Sequence, residues 1–199
     1  MTSSSQNTLS PLTVGLFGTC GASTWRKAFI EAYERLGVPY FNPQVEDWKP
    51  ELADLEAWHL ANDEVILFPV TGETFGAGSL AETGFSALSA MRWNAQRFVV
   101  VYVELTLDEA LAKSNPEAAK DSVRARKLVL AHLKEQAPKN VFVVSSLEEM
   151  LRVSLRLVAA CGLLHDAAGD SSWRSRMAPA FWLQALQATS TQEEACLAA

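Results

Sequence analysis

Apolar residues along this chain fall into short continuous runs and longer, spaced stripes, and the two kinds alternate. Leu12 to Phe17 is a run closed by Gly18, the pattern of a buried strand. Trp25, Phe29, Ile30, Tyr33 and Leu36 then recur at helical spacing, and Gly37 stands where a left-handed residue ends a helix. Val38 to Phe41 reads as a second strand, stopped by Asn42-Pro43. Pro50 to Ala61 reads as a helix with proline in its first turn and Leu52 and Leu55 on its buried side. Glu64 to Val70 is a third strand, Gly72 to Gly78 a glycine-containing loop, and Ser79 to Met91 a helix of small and apolar residues. Arg97 to Val103 is a valine-rich fourth strand. Pro116 to Gln136 is a long charged helix whose Lys and Arg are expected on its solvated face. Val141 to Val144 is a fifth strand, and Ser146-Leu147-Glu148-Glu149 is a capping box opening a helix through Leu164. After a break at Ala167 to Ser172, Met177 to Ala188 forms a last helix and the tail beyond Thr189 frays.

Strands alternating with helices imply a parallel sheet with helices on both faces. The expectation is an α/β fold: a single doubly wound five-stranded sheet of flavodoxin-like or Rossmann-like type. It spans residues 11–166, after a disordered arm at 1–10 and before a C-terminal helical extension and tail at 167–199. In such folds ligands bind outside the carboxyl ends of the strands. Function is therefore sought in Gly18 to Ser23, Asn42 to Trp48, Thr71 to Ser79 and the loop after Val103.

Composition narrows the partners. The 199 residues are 49% apolar and 20% charged, with a formal net charge of −6 and no dense Lys/Arg run, which argues against a nucleic-acid surface. The Ser-rich start lacks the cationic and apolar regions of a signal peptide. No apolar stretch approaches the roughly 20 residues of a membrane span. Cys20, Cys161 and Cys196 are odd in number and widely spaced, giving neither a disulfide framework nor zinc spacing. A reducing cytoplasm is the expected compartment. No His pair has metal-ligand spacing, and neither metal nor cofactor is expected.

The first loop offers Thr19, Cys20, Ser23 and backbone N–H groups ahead of a helix, suited to electron-rich ligand atoms. It lacks the dinucleotide and P-loop glycine spacings. A tight turn with Ser23 as N-cap is its plainer account. In the second loop Trp48 offers a face on which a planar base can stack, with Asn42, Gln44 and Asp47 to hydrogen-bond it; alternatively Trp48 covers the core edge. The third loop carries Glu73 and leads to Glu82, and two carboxylates at one ligand suit N-glycosidic chemistry. Ser79-Leu80-Ala81-Glu82 also matches a capping box, and pattern alone favours that plainer role for Glu82.

Three segments taken together resemble one family. They are Gly18-Thr19-Cys20-Gly21-Ala22-Ser23-Thr24-Trp25-Arg26, Tyr40-Phe41-Asn42-Pro43-Gln44-Val45-Glu46-Asp47-Trp48, and Glu73-Thr74-Phe75-Gly76-Ala77-Gly78-Ser79-Leu80-Ala81-Glu82. This is similar to the nucleoside 2-deoxyribosyltransferase-like family, a branch of the deoxyribosyltransferase and deoxynucleotide N-hydrolase group. The resemblance covers Leu12 to Val103, about half the chain. It implies a retaining mechanism through a covalent glycosyl–enzyme intermediate. Its nucleophilic glutamate precedes a glycine and an aromatic, as in Glu82-Thr83-Gly84-Phe85. Glu73 and Asp47 are the accompanying acids, with Glu56 near the base and Gly76, Gly78 and Ser79 against the substrate. Where the better-studied transferases carry an aspartate ahead of the glycine turn, this chain has Thr74 and Phe75.

The resulting expectation is cleavage or exchange of the N-glycosidic bond of a nucleoside, with a free nucleobase as co-substrate or product. The alternatives are hydrolysis of nucleoside 5′-monophosphates or NAD-like dinucleotides, and a nucleotide-binding module without chemistry. The resemblance also implies a homo-oligomer, and an apolar face on Trp173 to Leu186 is the candidate surface, unless that segment packs on its own chain.

Overall fold

Five apolar segments lie side by side and run the same way: β1 (Val14–Leu16), β2 (Tyr40–Phe41), β3 (Val65–Val70), β4 (Phe98–Val103) and β5 (Val141–Val144). The computed structural model describes residues 12–45, 49–92 and 97–186. The strand order is β2-β1-β3-β4-β5, all parallel, so the chain is an α/β fold of the flavodoxin/Rossmann type. Val14 sits opposite Tyr40 on one side and Val65 on the other. The path therefore reverses between β1 and β3, the switch point at which doubly wound sheets open a crevice.

All six residues of β3 are buried, as a central parallel strand covered on both faces requires. Pro69 is tolerated inside it for a geometric reason. Its carbonyl points toward β1 and accepts the Thr19 N–H at 2.9 Å, beyond the last β1–β3 register pair, Leu16 with Leu67. The missing N–H falls on that same side, where no ladder remains to lose a donor.

The helices divide between two apolar layers. On one face α1 (Trp25–Leu36), α6 (Leu147–Ala167) and α7 (Pro179–Leu186) bury Phe29, Tyr33, Met150, Val158 and Phe181 against β1 and β3. On the other, α3 (Ala77–Arg92) and α5 (Pro116–Gln136) bring Leu80 and Leu133 against Ile66, Phe68 and Val101, with Leu60 of α2 (Pro50–Asn62) packed at the margin. Gly37 ends α1 in the left-handed region, and Ser146 caps α6 by accepting the Glu149 N–H, both as the sequence suggests.

Several expectations change. The helix α2 buries none of its residues; Leu55 and Trp58 are each 47% exposed, so the expected Leu52/Leu55 core side is absent. A short helix, α4 (Glu109–Ser114), is capped by Asp108 and buries nothing, which left no apolar stripe to read. Arg126 of α5 is fully buried, against the expectation that the cations of that helix are solvated. The segment after α6 packs on its own chain. Trp173 and Phe181 are fully buried, the Ala178 N–H bonds the Leu36 carbonyl at 2.8 Å, and a Cβ at Gly162 would strike the Trp173 ring at 2.6 Å. Residues 1–11 and 187–199, where a disordered arm and a frayed tail are expected, lie outside the described residues. Among the described residues no helix is long and apolar enough to cross a membrane.

Candidate functional site

The carboxyl ends of β1 and β3 are stitched together by hydroxyl groups. Gly18 holds φ +95°, and a Cβ there would meet the Pro69 carbonyl at 2.5 Å, so only glycine lets the chain turn this close to β3. Thr19 donates both its N–H (2.9 Å) and its hydroxyl (3.2 Å) to the Pro69 carbonyl and accepts the Thr71 N–H at 3.0 Å. Thr71 donates its hydroxyl proton to Glu73 at 2.9 Å, which leaves Ser23 as donor in the 3.3 Å bond between Ser23 and Thr71. Ser23 is thus a cross-link between loops. Thr24 occupies the N-cap position of α1, so the capping alternative for Ser23 is not realised.

Between these ends lies a cleft of about 160 Å³. Phe17, Gly18 and Cys20 line it from β1 and its loop, Pro43 from the loop after β2, Glu56 from α2, and Gly78, Ser79 and Glu82 from α3. Gly78 and Ser79 stand in the first turn of α3, where backbone N–H groups have no partner within the helix. Glu82 follows one turn later on the same face. Because α3 starts at Ala77, Ser79 is already helical and its carbonyl accepts the Thr83 hydroxyl at 2.6 Å. It is not an N-cap, so the capping-box account of Glu82 fails.

Two carboxylates share this cleft. Glu82 is exposed at the cleft mouth, yet desolvation by its surroundings raises its pKa above the usual range, the Glu56 charge raises it further, and Arg26 opposes both. Burial likewise raises Glu56, again opposed by Arg26.

The loop that delivers α3 is held from behind by a buried guanidinium. Arg126 donates to the carbonyls of Val70 (2.9 Å), Glu104 (2.7 Å), Thr71 (2.9 Å) and Thr74 (2.8 Å), and to Ser122, whose own hydroxyl bonds the Phe75 carbonyl at 2.7 Å. Glu104 adds a bond from the Gly72 N–H at 2.7 Å. Gly76 turns this loop at φ +70°, beside Arg126, and is buried in the frame.

Of the residues singled out from the sequence, Gly18, Cys20, Glu56, Gly78, Ser79 and Glu82 converge on the cleft. Thr19, Ser23 and Gly76 stand behind its lining. Asn42 caps its own turn by accepting the Gln44 N–H at 3.0 Å, and Gln44 donates to the Gly21 carbonyl at 2.9 Å. Glu73 is exposed, tied to Thr71, and does not line the cleft. Among the described residues the acid beside Glu82 is therefore Glu56. Asp47 and Trp48 lie outside the described residues. Among the described residues no group of three or more His, Cys, Asp or Glu is placed to hold a metal ion.

Two frame residues escaped the sequence reading, Arg26 and Arg126. Spacing marks both. Arg26 precedes Phe29 by three and Tyr33 by seven on the buried stripe of α1, and Arg126 falls between buried Ser122 and Leu133 on α5. A charge on a buried stripe is the available signal, since burial of arginine requires a full set of acceptors. In comparisons with known proteins, no family model matches this chain and no curated protein matches it.

Proposed function

We propose that the chain is an enzyme of the nucleoside 2-deoxyribosyltransferase type, cleaving or exchanging the N-glycosidic bond of a nucleoside with Glu82 as nucleophile. The observation that carries this reading is the convergence of Glu82 and Glu56 in one cleft at the β1/β3 switch point. One ionised carboxylate and one carrying a proton are what the reaction needs. Glu82 attacks C1′ while the C1′–N bond breaks, and the bond electrons leave on the base nitrogen, which takes the proton of Glu56. The products of this half are a glycosyl ester on Glu82, a free base and an ionised Glu56. In the second half another base attacks C1′ and yields its proton to Glu56, releasing Glu82. Water in place of the base gives hydrolysis, and exclusion of water decides the balance.

The cleft favours a substrate without a 5′-phosphate. Among the described residues its lining carries two carboxylates and no lysine or arginine. Arg26, directly behind, spends all five of its N–H donors on the protein. Exposed Leu55 and Trp58 on α2, and Leu183 and Leu186 on α7, support assembly with further copies of the chain. The free thiols of Cys20 and Cys161 fit a cytoplasmic location.

Chromatography of released base tests the reading. Purified protein is incubated with 2′-deoxynucleosides, ribonucleosides, their 5′-monophosphates and NAD, with and without a second free base. Release or exchange from nucleosides is expected. Glu82→Gln is expected to lower it by on the order of 10³-fold or more at unchanged melting temperature. Ligand-dependent stabilisation with no turnover from any substrate would instead identify a binding module.

A further inference from the structure

Arg26 is 3% exposed, and its guanidinium lies beneath the cleft wall. Nε donates to the Leu16 carbonyl at 2.9 Å. Nη1 donates to the Thr19 carbonyl at 2.6 Å and to Gln44 Oε1 at 3.1 Å. Nη2 donates to the Gly18 carbonyl and to Cys20 Sγ, each at 3.4 Å. These partners come from the end of β1, the loop after it and the loop after β2. Gln44 in turn donates to the Gly21 carbonyl, so guanidinium and amide tie the two loops into one wall. The Trp25 indole supports the arrangement, donating to the Thr19 carbonyl at 2.9 Å with its ring 4.5 Å from Arg26 Cζ.

None of these five bonds goes to a carboxylate. Neutral carbonyls, an amide and a thiol satisfy the donors but leave the charge uncompensated, and a buried charge without countercharge is costly. The titratable groups facing Arg26 come from each neighbouring element: the Cys20 sulfur, already bonded to Nη2, from the loop after β1, and the carboxylates of Glu56 from α2 and Glu82 from α3. An arginine stays protonated throughout the range in which carboxylates titrate. We infer that Arg26 is a positioning residue of the cleft, joining the loops after β1 and β2 into a single wall and fixing a positive charge directly behind the lining that Gly18 and Cys20 share with Glu56 and Glu82. This rests on the reading of Glu82 as nucleophile and adds the group that makes its ionisation affordable next to a second acid.

The test compares Arg26→Gln and Arg26→Lys with the wild type in two readouts. One is the acidic limb of kcat/KM against pH; the other is the titration of the Glu56 and Glu82 carboxylates followed by 13C NMR. In Arg26→Gln both the limb and the carboxylate titrations are expected to move to higher pH, with a severalfold loss of kcat/KM below the limb. In Arg26→Lys the limb is expected to stay in place while KM rises, because the ammonium keeps the charge and loses the planar fork. A folded Arg26→Gln protein with unmoved limb and titrations overturns the inference. Should Arg26→Gln not fold, Arg26→Lys decides alone: a held limb with raised KM supports the charge role, and a moved limb overturns it. If the wild type turns over no substrate, the nucleophile reading fails, and the carboxylate titrations still judge Arg26.

Discussion

Both ends of the central strand carry pairs of acids, and the two pairs are treated differently. At the amino end of β3, Asp63 accepts from His59 Nδ1 at 2.8 Å, and Glu64 bonds His165 Nε2 at 2.6 Å. His59 is held flat against Phe41, its ring centroid 3.7 Å away, and His165 also reaches Asp170. At the carboxyl end, Glu56 and Glu82 have no hydrogen-bonded histidine among the described residues and face an open cleft, with a cation placed behind the wall. Burial raises the pKa of acids at both ends, Asp63 to about 6. A perturbed carboxylate is therefore not by itself a functional one. What separates the two ends is whether the strain is absorbed by a fixed partner or left facing space for a ligand.

The comparison breaks most sharply at Glu56. In the proposed reaction Glu56→Gln has no proton to deliver to the departing base, and kcat is expected to fall by on the order of 10²–10⁴-fold. A substrate whose base leaves readily without protonation should recover most of the loss, which steady-state kinetics on a leaving-group series measures.

A second test removes the support of the carboxyl end. Arg126→Met strands the carbonyls of Val70, Thr71, Thr74 and Glu104, and is expected to cost about 3 kcal/mol or more in urea unfolding. Faster amide exchange confined first to residues 70–82 would mark the frame as the element lost.

The amino end should declare itself in stability rather than turnover. Asp63, moved from 3.8 to about 6, binds more protons folded than unfolded, so stability falls as pH rises through that window, by about 3 kcal/mol as an order of magnitude. His165 is also raised from 6.5, because its bonds to Glu64 and Asp170 outweigh the desolvation that opposes them. Its contribution is complete below 6.5 and is lost as pH rises through the folded value. Unfolding midpoints at a series of pH values from 4 to 8 should therefore decline, and His165→Gln should remove the upper part of the decline.

The smallest effect is expected at Glu73. It is exposed and, among the described residues, bound only by Thr71, so Glu73→Gln should change kcat/KM by less than about threefold, within what surface substitutions cause. A large loss would move the second acid from Glu56 to Glu73.

Much of the fold was legible because it rests on local periodicity. The valine-rich runs of β3 and β4, the stripe of α1, Gly37 and the Ser146 cap each announce themselves within a few residues. Glu82 and the small residues of its loop were legible as candidates, and what was open was their role. The exposure of Leu55 and Trp58, the burial of Trp173 and the choice of Glu56 over Glu73 were not legible, since each depends on a neighbour far along the chain.

By itself the sequence determined the succession of strands and helices along the chain, the parallel sheet they must form and the end of that sheet where the cleft lies, because hydrophobic period and turn chemistry are local properties. Tertiary structure alone decided which acids meet. Glu56 and Glu82 lie on different helices and are brought together by the reversal of strand order at β1, while Arg26 and Arg126 become frame residues only once carbonyls from distant loops surround them. The worth of a charge depends on its distance to other charges and on the water around it, and neither quantity exists until the chain has folded.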